Sequence, residues 1–129
     1  MFRILLASAI TIASLAQATA AEQVTVPANR KSMVGSHVIF SRDTCSGSTV
    51  PNMRVGRKPK HGKVDFRTVS GKLSEGRCAG KPMRGKAVFY TPQRGFKGSD
   101  NFSVVFEYDY YEGAARRTST SYSYDITVK

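Results

Sequence analysis

The most distinctive chemical feature of the sequence is a run of basic residues, RVGRKPKHGK, at positions 54–63. It places five fixed positive charges and His61 within ten residues, interrupted by one proline and two glycines. Fixed charges of one sign attract anions, and the attraction weakens as salt is added. The run therefore predicts either a site for an anionic partner or a charged turn between two strands.

Basic residues remain dense beyond this run. Residues 54–97 contain 13 Lys and Arg against two acids, Asp65 and Glu75, so this segment carries +11 (13 − 2), the net charge of the whole chain. From Asp100 onward the balance reverses, with five acids against three basic residues. The candidate anion ligands are Arg54, Arg57, Lys58, Lys60, Lys63, Arg77, Lys81, Arg84 and Lys86. The alternative is that these charges are scattered and simply keep the domain soluble.

The residue pattern does not favour catalysis. An active site needs a nucleophile beside a base, a carboxylate pair or a metal centre. Two histidines, His37 and His61, are too few for a histidine-rich metal site. Glu107 and Asp109 fall on one side of a predicted strand, about 7 Å apart, as on any exposed face. We therefore predict a non-enzymatic protein with no catalytic residues, no metal and no cofactor.

The first 20 residues have the form of a secretory signal peptide. Arg3 precedes a mostly apolar core at 4–16, and the small residues ATA precede Ala21. The apolar run is shorter than the roughly 20 residues that a membrane-spanning helix needs, and no later segment is apolar enough to span a bilayer. We predict a signal peptide at 1–20, one domain at 21–129, and a periplasmic or secreted location.

Cys45 and Cys78, the two cysteines, both lie in the part predicted to be exported. In an oxidising compartment such a pair is expected to form a disulfide. The bond would close a loop of 33 residue steps (78 − 45) and stabilise the domain by about 3 kcal/mol in the chain-entropy model. The alternative, a metal site with two thiolates, needs further ligands that the sequence does not place beside them.

Alternating apolar and polar residues predict strands throughout the domain. In NFSVVFEYDYY, at 101–111, every second residue is Phe, Val or Tyr, and SYSYDITVK at 121–129 repeats the pattern. The segment EGAARR between them supplies a turn, so the two predict a terminal hairpin. Five shorter runs complete the set: QVTV at 23–26, SHVIF at 36–40, PNMRV at 51–55, KVDFRTV at 63–69 and KAVFY at 86–90.

About seven short strands joined by turns predict an all-β, antiparallel two-sheet sandwich, with a small closed barrel as the alternative. The predicted core residues are Val64, Phe66, Val88, Tyr90, Phe102, Val104, Phe106, Ile126 and Val128. The tyrosine-rich segment EYDYYEG offers a second candidate contact surface through Tyr108, Tyr110 and Tyr111, because tyrosine stacks on sugar rings and still donates hydrogen bonds. The alternative is that these tyrosines belong to the core and strand edge.

Two motifs combine glycine, proline and aromatic residues at fixed spacing. The first contains Pro59, His61, Gly62 and Val64, and the second contains Tyr90, Pro92, Gly95, Phe96, Gly98, Asp100 and Phe102. They resemble the bacterial immunoglobulin-like, cadherin-like domains that are repeated in surface adhesins, whose pattern runs P-x-H-G-x-V and then Y-x-P-x-x-G-F-x-G-x-D-x-F. The match covers about residues 51–129 and implies an immunoglobulin-like sandwich.

The matched residues have physical roles that can be predicted. Gly95 and Gly98 permit a tight loop, and Phe96 can tuck that loop onto the core. Asp100 can accept hydrogen bonds from loop amides at the entry to the next strand. The alternative for Asp100, a calcium ligand, requires several oxygen ligands together, and no acidic residue follows Asp100 before Glu107.

The chain also departs from that family, because adhesin repeats form tandem arrays and tend to be acidic, whereas this is a single, strongly basic domain. We therefore predict an exported binding module that engages an anionic envelope or host polymer: lipopolysaccharide, acidic polysaccharide or anionic lipid. The alternative is a structural or protein-interaction domain of an envelope assembly or adhesin system. Nucleic acid is not the expected partner, because a basic surface alone gives non-specific affinity and no recognition motif is present.

Overall fold

The computed structural model of the chain describes residues 20–47, 50–109 and 117–129, without the side chains of Asp109 and Arg117. These residues form an all-β protein, and none of their segments is a helix long and apolar enough to cross a membrane. The predicted signal peptide, apart from Ala20, lies outside the described residues. The strands are β1 (Glu22–Val26), β2 (Ser32–Val38), β3 (Asn52–Val55), β4 (Gly62–Lys72), β5 (Pro82–Pro92), β6 (Gly98–Asp109) and β7 (Arg117–Val128).

The seven strands form two sheets, as predicted. One sheet has four strands in the order β1-β7-β6-β3, and the other has three in the order β2-β5-β4. The predicted terminal hairpin is confirmed, because β6 and β7 pair antiparallel from Gly98↔Val128 to Asp109↔Arg117. Four of the five strand pairs are antiparallel, and the exception is β1, which lies parallel to β7. The predicted turn in EGAARR lies outside the described residues, apart from the backbone of Arg117.

The hydrophobic core lies between the two sheets and draws residues from both. Seven of the nine predicted core residues are buried, and the other two, Val64 and Phe66, are partly buried against them. The sequence pattern also placed Tyr124 on the inward face of its strand, and its ring is fully buried against Phe102 at 5.0 Å between centroids. Because both sheets contribute inward-facing residues, the fold is a sandwich rather than a closed barrel.

Strand lengths differ from the apolar runs that predicted them. β4 and β5 each extend to eleven residues and pair without interruption from Gly62↔Pro92 to Lys72↔Pro82. The backbone ladder continues past the apolar stretch because each strand satisfies the other's amide and carbonyl groups. β2 begins four residues before the predicted start, because a register shift between Met33 and Gly35 breaks the alternation there.

The predicted disulfide between Cys45 and Cys78 is confirmed, with a Cα–Cα distance of 5.3 Å. Cys78 is buried, and the bond joins the β2–β3 connection to the β4–β5 connection. Both connections lie at the same end of the sandwich. We call this the disulfide end.

Candidate anion-binding site

The opposite end of the sandwich is formed by three loops. They are the β1–β2 turn at 27–31, the β3–β4 loop at 56–61 and the β5–β6 loop at 93–97, joined by Lys129 after β7. The strand register brings them together, because β4 begins where β5 ends and β6 begins where β7 ends. We call this region the loop end.

Hydrogen bonds tie the three loops to one another. The backbone N–H of Gly95 donates to Asn29 Oδ1 at 2.8 Å, which links the β5–β6 loop to the β1–β2 turn. The N–H of Gln93 donates to the carbonyl of His61 at 2.8 Å, which links it to the β3–β4 loop. The imidazole of His61 also stacks on Phe96, with 4.3 Å between ring centroids. The loop end is therefore a connected frame.

Asp100, at the start of β6, is the centre of this frame. Its side chain is buried, with 5% exposure. The carboxylate accepts hydrogen bonds from the backbone N–H groups of Lys60, His61 and Asn101, each at 2.9 Å, and from the Tyr90 hydroxyl at 2.8 Å. The predicted role of Asp100 as an acceptor for loop amides is confirmed. Its alternative role as a calcium ligand finds no support in the described residues, where no three His, Cys, Asp or Glu side chains cluster as metal ligands would.

These hydrogen bonds decide the charge of the buried carboxyl. Burial by itself raises the pKa of Asp100, but the donors from Lys60, Tyr90, His61 and Asn101 together outweigh burial and lower it below the usual value. Burial and the bond to Asp100 raise the pKa of the Tyr90 hydroxyl, which therefore stays protonated and donates. Asp100 is therefore ionised. Its negative charge is buried and bonded to the loop backbone, so it does not neutralise the basic side chains on the surface.

Gly62, the first residue of β4, is required by close packing. A Cβ atom at this position would lie 2.5 Å from Tyr90 Cε2 and 2.6 Å from the carbonyl oxygen of Thr91. The carbonyl oxygen of Thr91 belongs to the backbone, so it cannot move aside without distorting β5. Gly95 has a different requirement, because its φ of +82° lies in the left-handed region that side chains disfavour.

The exposed surface of the loop end is strongly basic. The basic residues are Arg30, Lys31, Arg57, Lys58, Lys60, Lys63, Arg94, Lys97 and Lys129, and all are exposed. Among the described residues, Lys31 alone of these makes an ion pair, with Asp65 at 3.3 Å. Three acids lie within a few residues of this end along their strands: Asp65, the buried Asp100, and Asp125, which accepts a hydrogen bond from Gln23 Nε2 at 2.8 Å. The loop end thus presents eight basic side chains without a carboxylate partner in the described part of the chain.

The candidate residues predicted from sequence divide between different regions. Four of them, Arg57, Lys58, Lys60 and Lys63, lie at the loop end. Four more, Arg77, Lys81, Arg84 and Lys86, lie at the disulfide end or in the half of β5 nearest to it. Arg54 pairs with Glu107 at 3.3 Å, on the outer face of the four-stranded sheet. The ten residue steps of β4 separate the two ends by about 33 Å, so the basic segment does not form one patch.

Five residues of the basic loop end were absent from the candidate set: Arg30, Lys31, Arg94, Lys97 and Lys129. Arg94 and Lys97 belong to the basic segment 54–97, and their position in the loop that leads to Asp100 is a signal that could have identified them. The other three are distant in sequence. Arg30 and Lys31 arrive because β1 pairs with β7 and its turn then meets the β5–β6 loop, a parallel pairing that alternation does not reveal.

The disulfide end has a different character. Arg42, Asp43, Glu75 and Arg77 line a shallow cavity of about 210 Å³ beside Cys78. Acids and bases line this cavity in equal number, so their fields cancel there over a short distance, while Lys72, Lys81 and Arg84 add positive charge elsewhere at this end.

Of the tyrosines proposed as a contact surface, Tyr108 alone lies in the described part of the chain. It is half-buried and packs against Phe106, with ring centroids 5.2 Å apart. Tyr110 and Tyr111 lie outside the described residues. Near this end of β6, His37 Nε2 shares a hydrogen bond with the Tyr124 hydroxyl at 2.8 Å, and the imidazole packs at a tilt against the Tyr122 ring, with 4.4 Å between centroids.

The loop end can therefore hold an anion by charge at several points, on loops whose backbone is fixed by hydrogen bonds. Such an arrangement favours extended anionic surfaces, because its charges are spread over three loops and not gathered in one pocket. Comparisons with protein-family profiles, with curated proteins and with solved structures find no match to this chain.

Proposed function

We propose that the protein is an exported, non-enzymatic binding module that engages an anionic cell-envelope or host polymer through its basic loop end. The observation that carries the proposal is the set of eight exposed basic residues without a carboxylate partner among the described residues. Several fixed charges on one surface attract a polyanion cooperatively, and the attraction weakens as salt increases.

The fixed backbone of the loop end supports this function. Binding costs less entropy when the groups that bind are already held in place. Here the backbone N–H groups of Lys60 and His61 are held by the Asp100 carboxylate, and the imidazole of His61 is held by stacking on Phe96. The basic side chains themselves remain long and exposed, so they can adapt to a polymer of irregular charge spacing.

The strand order supports the immunoglobulin-like interpretation. In immunoglobulin domains, strands C, F and G form one sheet and strands B, E and D belong to the other. Here β3, β6 and β7 share one sheet, and β2, β5 and β4 form the other, in the corresponding order. The first strand differs, because it lies beside β7 instead of β2.

Export is supported by two independent features. The first 20 residues fit a signal peptide, and the Cys45–Cys78 disulfide is compatible with an oxidising compartment. In the periplasm or outside the cell the abundant polyanions are phosphorylated or acidic glycans and anionic lipids.

A second candidate function is supported by one feature of the sheets. β4 is an edge strand of eleven residues whose outer side has no partner strand among the described residues. Such an edge can accept an extended segment of another protein. However, this strand contains three basic residues, Lys63, Arg67 and Lys72, and charged side chains on an edge strand, lysine especially, disfavour the addition of another strand. The edge therefore ranks below the basic loop end.

The proposal is tested by measuring affinity for heparin and for lipopolysaccharide from low to high NaCl. The loop-end variant carries Lys58→Gln, Lys60→Gln, Arg94→Gln and Lys97→Gln. The matched control removes the same charge at the disulfide end through Lys72→Gln, Arg77→Gln, Lys81→Gln and Arg84→Gln. We expect affinity to fall with salt, and the loop-end variant to bind roughly tenfold or more weakly than the control. Equal losses in both variants, or binding that is absent at low salt, would contradict the proposal.

A further inference from the structure

The outer face of the three-stranded sheet, next to the loop end, combines basic and apolar side chains. Phe89 lies at its centre in β5. Its cross-strand partners are Met33 in β2 and Asp65 in β4, and directly opposite residues share a face of the sheet. Lys63 and Arg67 flank Asp65 on that same face, because side chains two apart along a strand point the same way.

Two cations stand close to the Phe89 ring. Lys31 Nζ lies 5.2 Å from the ring centroid, and the guanidinium carbon of Arg67 lies 5.5 Å from it. Both distances fall within the range of cation–π attraction. The single acid of this face, Asp65, is paired with Lys31. The face therefore keeps a net positive charge around an aromatic centre.

The same face carries the most exposed large hydrophobic side chains among the described residues. Met33 is 59% exposed and Val38 is 40% exposed. Val38 pairs with Gly85, four residues from Phe89 in β5 and so on its face. An exposed methionine beside an aromatic ring has no role in the core of this sandwich. Apolar surface of this kind, ringed by charge, is typical of interaction sites.

The outer face of the other sheet shows the opposite composition. Its residues in β7 are Ser119, Ser121, Ser123, Asp125 and Thr127, which alternate with the buried face. Their neighbours in β6 include Ser103 and Glu107. No exposed methionine or aromatic residue stands among them, so the apolar and basic character belongs to one side of the sandwich.

From these contacts we infer that the outer face of the β2-β5-β4 sheet docks on an anionic phospholipid surface. Met33 and Phe89 enter the boundary between headgroups and acyl chains, while Lys31, Lys63 and Arg67 bind lipid phosphates. The inference rests on the proposed function and narrows its ligand class to lipid. Charge complementarity alone would also fit a soluble polyanion, but a hydrated polysaccharide offers no acyl layer in which an exposed methionine is buried.

The docking face is continuous with the basic loop end. Lys31 belongs to both, and Lys63 is the second residue of β4, close to the β3–β4 loop. The charges of the loop end lie beside this face and can reach the same bilayer. Each basic residue near an anionic bilayer contributes about fivefold in affinity.

The first experiment measures cosedimentation of the protein with vesicles of phosphatidylglycerol and phosphatidylcholine, and with vesicles of phosphatidylcholine alone. We expect binding to the anionic vesicles alone. The Lys63→Gln, Arg67→Gln double variant is expected to bind at least tenfold more weakly than the charge-matched Arg77→Gln, Lys81→Gln control. Met33→Gln is expected to reduce vesicle affinity several-fold while leaving heparin affinity unchanged. Equal binding to both vesicle types would overturn the inference.

A second experiment reports insertion directly. The chain contains no tryptophan, so Phe89→Trp introduces a single tryptophan on the docking face, whose emission can be excited apart from that of the tyrosines. Leu73→Trp places the control fluorophore at the disulfide end. We expect the emission of Phe89→Trp to shift to shorter wavelength with anionic vesicles, and the emission of Leu73→Trp to stay unchanged.

The outcomes separate the two proposals. If heparin binding is salt-dependent but Phe89→Trp shows no shift, or Met33→Gln binds vesicles as well as the unmodified protein, the lipid face is overturned and the proposed function stands. If the protein binds neither heparin nor vesicles at low salt, both are overturned. Unfolding curves of each variant establish that lost binding is not lost folding.

Discussion

The two ends of the sandwich are both rich in basic residues, but they are built differently. At the loop end, Asp100 is buried and few other acids lie nearby, so the surface charge is mostly positive. At the disulfide end, Asp43 and Glu75 stand among arginines around one cavity. The loop end is held by hydrogen bonds to a buried carboxylate, and the disulfide end is held by a covalent bond.

This difference shows that the number of basic residues does not by itself define an anion site. What matters is where the acids lie and whether the backbone that carries the bases is fixed. At the loop end, the acid that organises the loops is turned inward, so it stabilises the frame without neutralising the surface. Substitutions made separately at each end test this difference.

The largest effect is expected from Asp100→Ala. The substitution leaves three backbone N–H groups and the Tyr90 hydroxyl without their acceptor. Buried donors without partners cost roughly 1–3 kcal/mol each, and relaxation recovers part of this, so we expect the free energy of unfolding to fall by about 4 kcal/mol. Denaturant unfolding measures it. A loss below about 1 kcal/mol would show that the loops do not depend on this carboxylate.

The next largest effect is expected at the other end, from Cys45→Ser with Cys78→Ser. Removing a bond that closes a loop of 33 residue steps costs about 3–4 kcal/mol in the chain-entropy model. Because the loop end has its own hydrogen-bonded frame, heparin affinity of the folded variant is expected to remain within twofold of the unmodified protein. Calorimetric unfolding and heparin binding test the two parts, and a large loss of affinity would mean that the ends are coupled.

A smaller contrast lies within β4, which begins at the loop end and finishes at the disulfide end. Gly62→Ala places a Cβ against Tyr90 and the backbone of Thr91, and overpacking of this kind costs about 1–3 kcal/mol. Gly71→Ala is the matched control, since its Cβ would approach no atom closer than 4.0 Å. We expect the control to be neutral or slightly stabilising in thermal unfolding. Equal effects of the two substitutions would contradict the close packing of the loop end.

The smallest effect concerns pH. Burial lowers the pKa of His37 below 6.5, although Glu22 raises it in part. The unfolded chain therefore takes up a proton more readily than the folded protein. Stability from this group is complete above about pH 6.5 and is lost as pH falls toward the folded pKa. His37→Gln is expected to flatten this part of the stability curve.

Asp100 acts at lower pH with the same sign. Its folded pKa is lowered, so its contribution is complete above pH 3.8 and is lost in stronger acid. Unfolding free energies of the unmodified protein and of His37→Gln, measured from neutral to acidic pH, separate the two groups. Rising stability between neutral and mildly acidic pH would contradict the assignment for His37.

Much of the fold could be predicted from the sequence. The alternation in 101–111 and 121–129 indicated the terminal hairpin, and the turn-rich spacing indicated about seven strands. The two cysteines predicted their own bond. The hairpin depends on alternation within two neighbouring segments, and two cysteines can form only one intramolecular disulfide. The early start of β2 and the extra length of β4 and β5 could not be predicted, because a register shift and backbone pairing set them, and neither depends on apolar alternation.

For the candidate site, the sequence by itself determined the excess of basic residues at 54–97 and the role of Asp100 as an acceptor for loop amides. It could not show that Arg54 is neutralised by Glu107, or that Arg77 and Lys81 lie at the far end from Lys58. The tertiary structure decided these points, because strand register places residues that are distant in sequence side by side and separates neighbours along an extended strand. For the same reason, the turn that carries Lys31 joins the basic loop end only once β1 pairs with β7.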